Sequence, residues 1–203
     1  MAVRVTDLSA IRQAGPMRRA RGGDRGYHGA MAEVGSERIF LVGMVGAGKT
    51  TVGRALSERT GWPYLDNDEL VRRLTGREPD EIFATDGEDV LHLAEMQALD
   101  VAFGMDPPLV VGVAGVSVTD LAAREALREG GHVVWLRARV ETLLERIGSG
   151  EGRRIDATDP DWLRARFRER EPLYGAVAEQ IVDVDERSPS EVAETILAGL
   201  ART

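Results

Sequence analysis

From residue 38 onward, short runs of apolar residues alternate with longer segments whose apolar positions recur every three or four residues. Ile39–Val42, Pro63–Leu65, Leu109–Val113, His132–Leu136 and Ile181–Val184 have the length and character of buried strands. The segments between them read as amphipathic helices. Val52, Ala55 and Leu56 mark the inner stripe of one, which Gly61 stops. Leu70, Val71 and Leu74 mark another, and Val140, Leu143, Leu144 and Ile147 fall at i, i+3, i+4 and i+7 of a further one. Ser188-Pro189-Ser190-Glu191 is a capping box with proline at the first helical position, ahead of Val192, Ile196 and Leu200. This alternation predicts an α/β domain: a parallel sheet covered by helices on both faces, with ligands at the carboxyl ends of its strands.

Residues 1–36 break the pattern. They lack apolar periodicity and are rich in Arg and Gly, as in Arg18-Arg19-Ala20-Arg21-Gly22-Gly23. They read as a disordered basic tail or as translation assigned to a start upstream of Met31, with a targeting peptide as the other possibility. The domain is expected over residues 37–203.

The first predicted strand runs into Gly43-Met44-Val45-Gly46-Ala47-Gly48-Lys49-Thr50-Thr51, and the next helix begins there. G-x-x-x-x-G-K-T between a strand and a helix is the phosphate-binding loop pattern. Its glycines let the backbone approach an anion closely. Successive amides of Gly46, Ala47, Gly48, Lys49, Thr50 and Thr51 then form a cradle, to which the helix adds its positive dipole end. Lys49 is expected on the outer phosphates of ATP and Thr50 on Mg²⁺.

Composition sharpens this. Lys49 is the single lysine among 26 basic residues; all the others are arginine. Lysine was replaced everywhere that a guanidinium could serve, and kept where a compact ammonium must reach between phosphates. The formal charge is −8, and residues 1–30 hold six arginines against two aspartates, so the rest of the chain carries −12. So acidic a body excludes a general nucleic-acid binder. There is no cysteine, which excludes disulfides and thiolate metal sites and suits a reducing cytoplasm. No apolar run approaches the ~18 residues of a membrane helix. A monomer acting on a small hydroxylated molecule is the expectation.

Beyond the loop, the second strand ends in Leu65-Asp66-Asn67-Asp68. Asp66 could hold Mg²⁺, directly or through water, and Asp68 could orient an acceptor hydroxyl. Alternatively, one of the two merely caps the helix that follows.

Taken together, the loop, the strand ending in D-x-D, the Glu81-Ile82-Phe83 turn with Gly87-Glu88, the Arg146 helix and Arg170-Glu171-Pro172-Leu173-Tyr174 come in the order of the shikimate kinase family. The resemblance runs from about Arg38 to Leu200. It implies a P-loop kinase with a five-stranded parallel sheet, related to the nucleoside monophosphate kinases, that passes the γ-phosphoryl of ATP to shikimate. By resemblance, Lys49 and Thr50 handle phosphates and Mg²⁺, Asp66 is the metal-side aspartate and Asp68 holds the acceptor hydroxyls. Arg146 resembles the arginine that stacks on adenine, Arg153 the lid arginine over the phosphates, and Arg170 the arginine that pairs with the acceptor carboxylate. Each has a plainer reading: Arg146 as a cation at a helix C-terminus, Arg153 as a solvated loop charge, Arg170 as one charge of a charged helix.

Three departures bear on the acceptor. The family's Phe-Arg, whose arginine also grips the carboxylate, is here Leu91-His92, while Glu95, which steadies that arginine, is retained. Losing a charge-assisted contact costs on the order of 1.5–3 kcal/mol; His92 is either a weaker carboxylate contact or a helix-surface residue. The family's Gly-Gly-Gly run is Gly112-Val113-Ala114-Gly115-Val116-Ser117, in which only Gly115 aligns, and Val116 places a β-branched side chain where positive φ would be strained. The lid's Arg-Pro-Leu-Leu is Arg153-Arg154-Ile155-Asp156. The expected acceptor is therefore shikimate, or else a related cyclitol or sugar acid; a non-catalytic nucleotide-binding regulator is the alternative from another class.

Overall fold

The computed structural model describes residues 38–148 and 159–201. The predicted tail and the lid segment around Arg153 lie outside them. The described chain begins with strand β1 (Arg38–Val42) and helix α1 (Lys49–Thr60). Next come β2 (Tyr64–Asp66), α2 (Asn67–Thr75), α3 (Pro79–Asp86) and α4 (Glu88–Phe103). After β3 (Leu109–Gly112), a 3₁₀ turn at Ser117–Thr119 leads to α5 (Leu121–Gly130) and β4 (His132–Arg137). The chain ends with α6 (Val140–Ile147), α7 (Pro160–Val177), β5 (Gln180–Asp183) and α8 (Pro189–Leu200).

The five strands form one sheet in the order β2-β3-β1-β4-β5, and every pairing is parallel. Each strand end lies within one residue of its predicted position. The three inner strands are buried along almost their whole length, which explains why they read as continuous apolar runs and not as alternations. The chain leaves β1 across β3 to reach β2, but leaves β3 across β1 to reach β4. Right-handed crossovers therefore put α1 and α5 on opposite faces of the sheet. The loops after β1 and β3 part at their carboxyl ends, and the cleft opens there.

Two local features differ from expectation. The Glu81-Ile82-Phe83 segment is a helix, started by Pro79 in its first turn with Asp80 and Glu81 on the dipole's positive end. Val116 sits at φ −80° and ψ −23°, an ordinary right-handed conformation, so its branched side chain is accommodated without backbone strain. The capping box that opens α8 forms as predicted: Ser188 Oγ accepts from the Glu191 amide at 3.3 Å, and a Glu191 carboxylate oxygen accepts from the Ser188 amide at 2.8 Å.

Candidate active site

Gly46 and Gly48 take φ +81° and +92°, and so turn the chain from β1 into α1. A side chain at Gly46 would meet Leu143 and Ile147 of α6 at 3.1 Å, so the loop lies tight on that helix. Gly48 caps α1 with no side-chain hydrogen bond, and no acidic residue stands in the first turn. The opening amides of α1 are thus left for an anion. The Lys49 ammonium folds over the loop and donates to the carbonyls of Gly43 at 2.9 Å and Met44 at 3.0 Å. The Ala47 amide is spent inside the loop on the Met44 carbonyl, and Ala47 is buried, unlike its neighbours Gly46 and Gly48, which line the cleft.

The cleft is a cavity of about 420 Å³, within the range that holds a small-molecule ligand. Gly46, Gly48, Lys49, Thr50 and Thr51 form one wall. Asp66 and Asp68 approach from the end of β2, Gly115 and Val116 from the end of β3, and Arg170 and Trp162 from α7. Segments separated by more than a hundred residues in sequence thus converge at the carboxyl edge of the sheet.

Asp66 combines two of the roles weighed from sequence. As the N-cap of α2, its Oδ1 accepts from the Asp68 amide at 3.0 Å. Its Oδ2 accepts from the Thr50 hydroxyl at 2.8 Å and the Tyr64 hydroxyl at 2.9 Å. A threonine hydroxyl next to a carboxylate at the mouth of a phosphate loop is a hard-oxygen donor set that suits Mg²⁺. Burial first, and the Asp66 carboxylate second, push the Tyr64 phenol well above its ordinary range, so it stays a donor. Asp68, on the first turn of α2, projects an exposed side chain beside the same cavity.

Arg170 is the buried cation of the site. It is only 7% exposed, and among the described residues it has no ion-pair partner; its Nε lacks any hydrogen-bond acceptor. Its guanidinium reaches within 3.9 Å of where a side chain at Gly115 would begin. Beside it, Tyr174 donates to the Gly115 carbonyl at 2.7 Å, which fixes the turn after β3. With the Tyr174 hydroxyl beside it but no ion pair among the described residues, this buried guanidinium is a costly charge that an anion in the cleft could offset.

Two predicted site residues stand beside this cavity and not on its lining. His92 does not line the cavity; its Nδ1 lies 4.0 Å from Glu95, whereas Leu91 and Glu95 do face the cleft. On a helix, i and i+4 share a face, and the residue next after i is turned away from it by about 100°. Arg146 likewise stands behind the loop, donating to the carbonyls of Gly46 at 3.5 Å and Val184 at 2.9 Å. It ties the phosphate loop to the exit of β5. Conversely, sequence reasoning passed over Tyr64 and Trp162, and named Glu95 only as the partner of the family's missing arginine. Tyr64 had a faint signal, since it stands two residues before Asp66 and so on the same side of the strand.

A parallel sheet with a lysine-bearing glycine loop at its carboxyl edge, a Thr–Asp pair beside it and an acceptor cleft alongside defines a P-loop phosphotransferase. The comparisons with known proteins agree. The family model for shikimate kinase matches residues 45–201, and the chain belongs to the shikimate kinase family. A shikimate kinase from Symbiobacterium thermophilum is 40% identical over 166 residues, covering 80% of this chain and 95% of that protein. One from Moorella thermoacetica is 37% identical over 163 residues, covering 80% and 93%. Among solved structures, the shikimate kinase from Acinetobacter baumannii in complex with shikimate superposes with a TM-score of 0.74 at 32% identity, covering 82% of this chain and 94% of that one.

Proposed function

We propose that this chain transfers the γ-phosphoryl group of ATP to a hydroxyl of shikimate, with Mg²⁺ as the bound cation. Family membership supports the reaction class, and one observation within the cleft supports an acidic acceptor: Arg170, buried and without a counter-ion among the described residues. An acceptor carboxylate supplies the missing charge and turns a liability of the empty site into binding energy. In this reading the opening amides of α1 and Lys49 hold the phosphates, Thr50 and Asp66 hold Mg²⁺, and Asp68 aligns the attacking hydroxyl. Mg²⁺ supplies charge neutralisation on the phosphates when bound. Trp162 and Leu91 add apolar surface to the lining of the cleft.

His92 lies off the cavity wall, so a carboxylate acceptor is held from the Arg170 side. Arg170→Met should raise the acceptor KM by about 10- to 100-fold, the loss of one charge-assisted contact. Affinity for ADP should stay as it was, and the unfolding temperature should hold or rise, because an unpaired buried charge is being removed. A parallel fall in ADP affinity and stability would assign Arg170 a packing role instead. The reading as a whole is tested by coupled ADP release with shikimate and a panel of related cyclitols and sugar acids. Shikimate-dependent release is expected; ATP binding with no acceptor-dependent release from any of them would leave a nucleotide-binding regulator.

A further inference from the structure

We infer that Tyr64 is a positioning residue for the cation, acting through Asp66, and that Gly53 and Gly112 exist to seat it. The inference rests on the phosphotransfer reading above, in which Thr50 and Asp66 face Mg²⁺.

A glycine inside a helix costs stability, roughly 1 kcal/mol relative to alanine. Yet α1 carries Gly53, fully buried, in its second turn. The reason is visible beside it: a Cβ at position 53 would fall within 2.7 Å of three atoms of the Tyr64 ring. Gly112 is the second concession. It pairs with Asp66 in the sheet, and a Cβ there would lie 2.5 Å from the Tyr64 hydroxyl oxygen. Thus Gly53 makes room for the ring and Gly112 for the hydroxyl itself. A phenylalanine would fill the first space and leave the second empty, so the slot is shaped for a phenol.

The phenol bonds within the Thr50–Asp66 pair. Tyr64 and Asp66 are two apart on β2 and share a side, which brings the hydroxyl to Asp66 Oδ2 at 2.9 Å. The same oxygen accepts from Thr50 at 2.8 Å, and Oδ1 accepts from the Asp68 amide. Three donors from three directions fix the tilt and the rotation of the carboxylate. Thr50 has one hydroxyl hydrogen. While Asp66 takes it, the lone pairs of Thr50 must point away from Asp66, toward the cavity and an incoming cation. Tyr64 therefore helps set the direction of the Thr50 oxygen through the carboxylate they share, and stands within hydrogen-bonding reach of that oxygen as well.

The test is the coupling between cation and nucleotide, read by calorimetry on the whole chain. ADP is titrated once in excess Mg²⁺ and once in EDTA. Tyr64→Phe keeps the ring in its slot and removes only the donor. The variant should bind ADP in EDTA as the unsubstituted chain does, and should lose roughly 3- to 10-fold in affinity in Mg²⁺, part of one hydrogen bond to a charged group. An unchanged ratio of the two affinities overturns the proposal, as does an equal loss in both buffers. Gly112→Ala adds a readout that does not depend on metal. The new methyl collides with the hydroxyl, so this variant should unfold at a lower temperature, and adding Tyr64→Phe should restore part of the loss. A double variant no more stable than Gly112→Ala alone overturns the fit of the slot. If the unsubstituted chain binds no ADP in either buffer, the phosphotransfer reading falls and takes this one with it; normal binding with an unchanged ratio removes this one alone.

Discussion

Lys49→Ala should lower acceptor-dependent ADP release by roughly 10³-fold, the scale set by removing one preorganised charge from a phosphoryl-transfer site. The structure explains why nothing nearby would compensate. The ammonium is drawn across the loop by the carbonyls of Gly43 and Met44, so its charge is placed before a nucleotide arrives. Lys49→Arg should not rescue the loss, since a planar fork cannot take up the geometry of a compact ammonium between two carbonyls and a phosphate. Melting curves of both variants should stay close to that of the unsubstituted chain, because the side chain belongs to the loop and not to the core. A Lys49→Ala variant that kept a tenth of its turnover would place the transferred phosphoryl group elsewhere.

If Asp68 aligns the attacking hydroxyl as proposed, Asp68→Asn should produce the second large loss, with kcat falling about 10²- to 10⁴-fold. The substitution is nearly isosteric. It leaves the Asp68 backbone amide, and with it the cap made by Asp66, in place. Placing a neutral side chain in the first turn of α2 removes a favourable dipole interaction of about 0.3–1 kcal/mol, too little to unfold the domain. Affinity for ADP with Mg²⁺ should therefore persist while turnover disappears. Steady-state rates at saturating acceptor, set beside a calorimetric titration, separate the two. A variant with undiminished kcat would mean that the hydroxyl is aligned from another wall of the cleft.

What could be read from the chain followed from how local each signal is. Strands buried on both faces announce themselves as apolar runs, so all five were placed closely. The phosphate loop is contiguous, so its motif survives without any knowledge of the fold. Helix α3 was missed as a helix because only Ile82 of its eight residues is fully buried, too few to show a period. The acceptor side was harder, because its wall is assembled from α2, α4, β3 and α7. Arg170 lines the cleft, whereas His92, which stands where the family has the arginine of Phe-Arg, lies off that lining, one helical position round from Leu91. Tyr64 lies inside the predicted strand Pro63–Leu65 and was not singled out. Only the two glycines pressed against it, one 11 residues earlier and the other 48 later, reveal that its oxygen is accommodated on purpose.

The folded-over ammonium of the phosphate loop has a practical corollary. In these 203 residues it is the one ε-amine, since every other basic side chain is a guanidinium. Amine-directed acylating reagents therefore have a single side-chain target, and that target lies in the cleft. Their rate of incorporation at this position, followed by intact mass, becomes a direct gauge of occupancy that needs no engineered label and no coupled reaction.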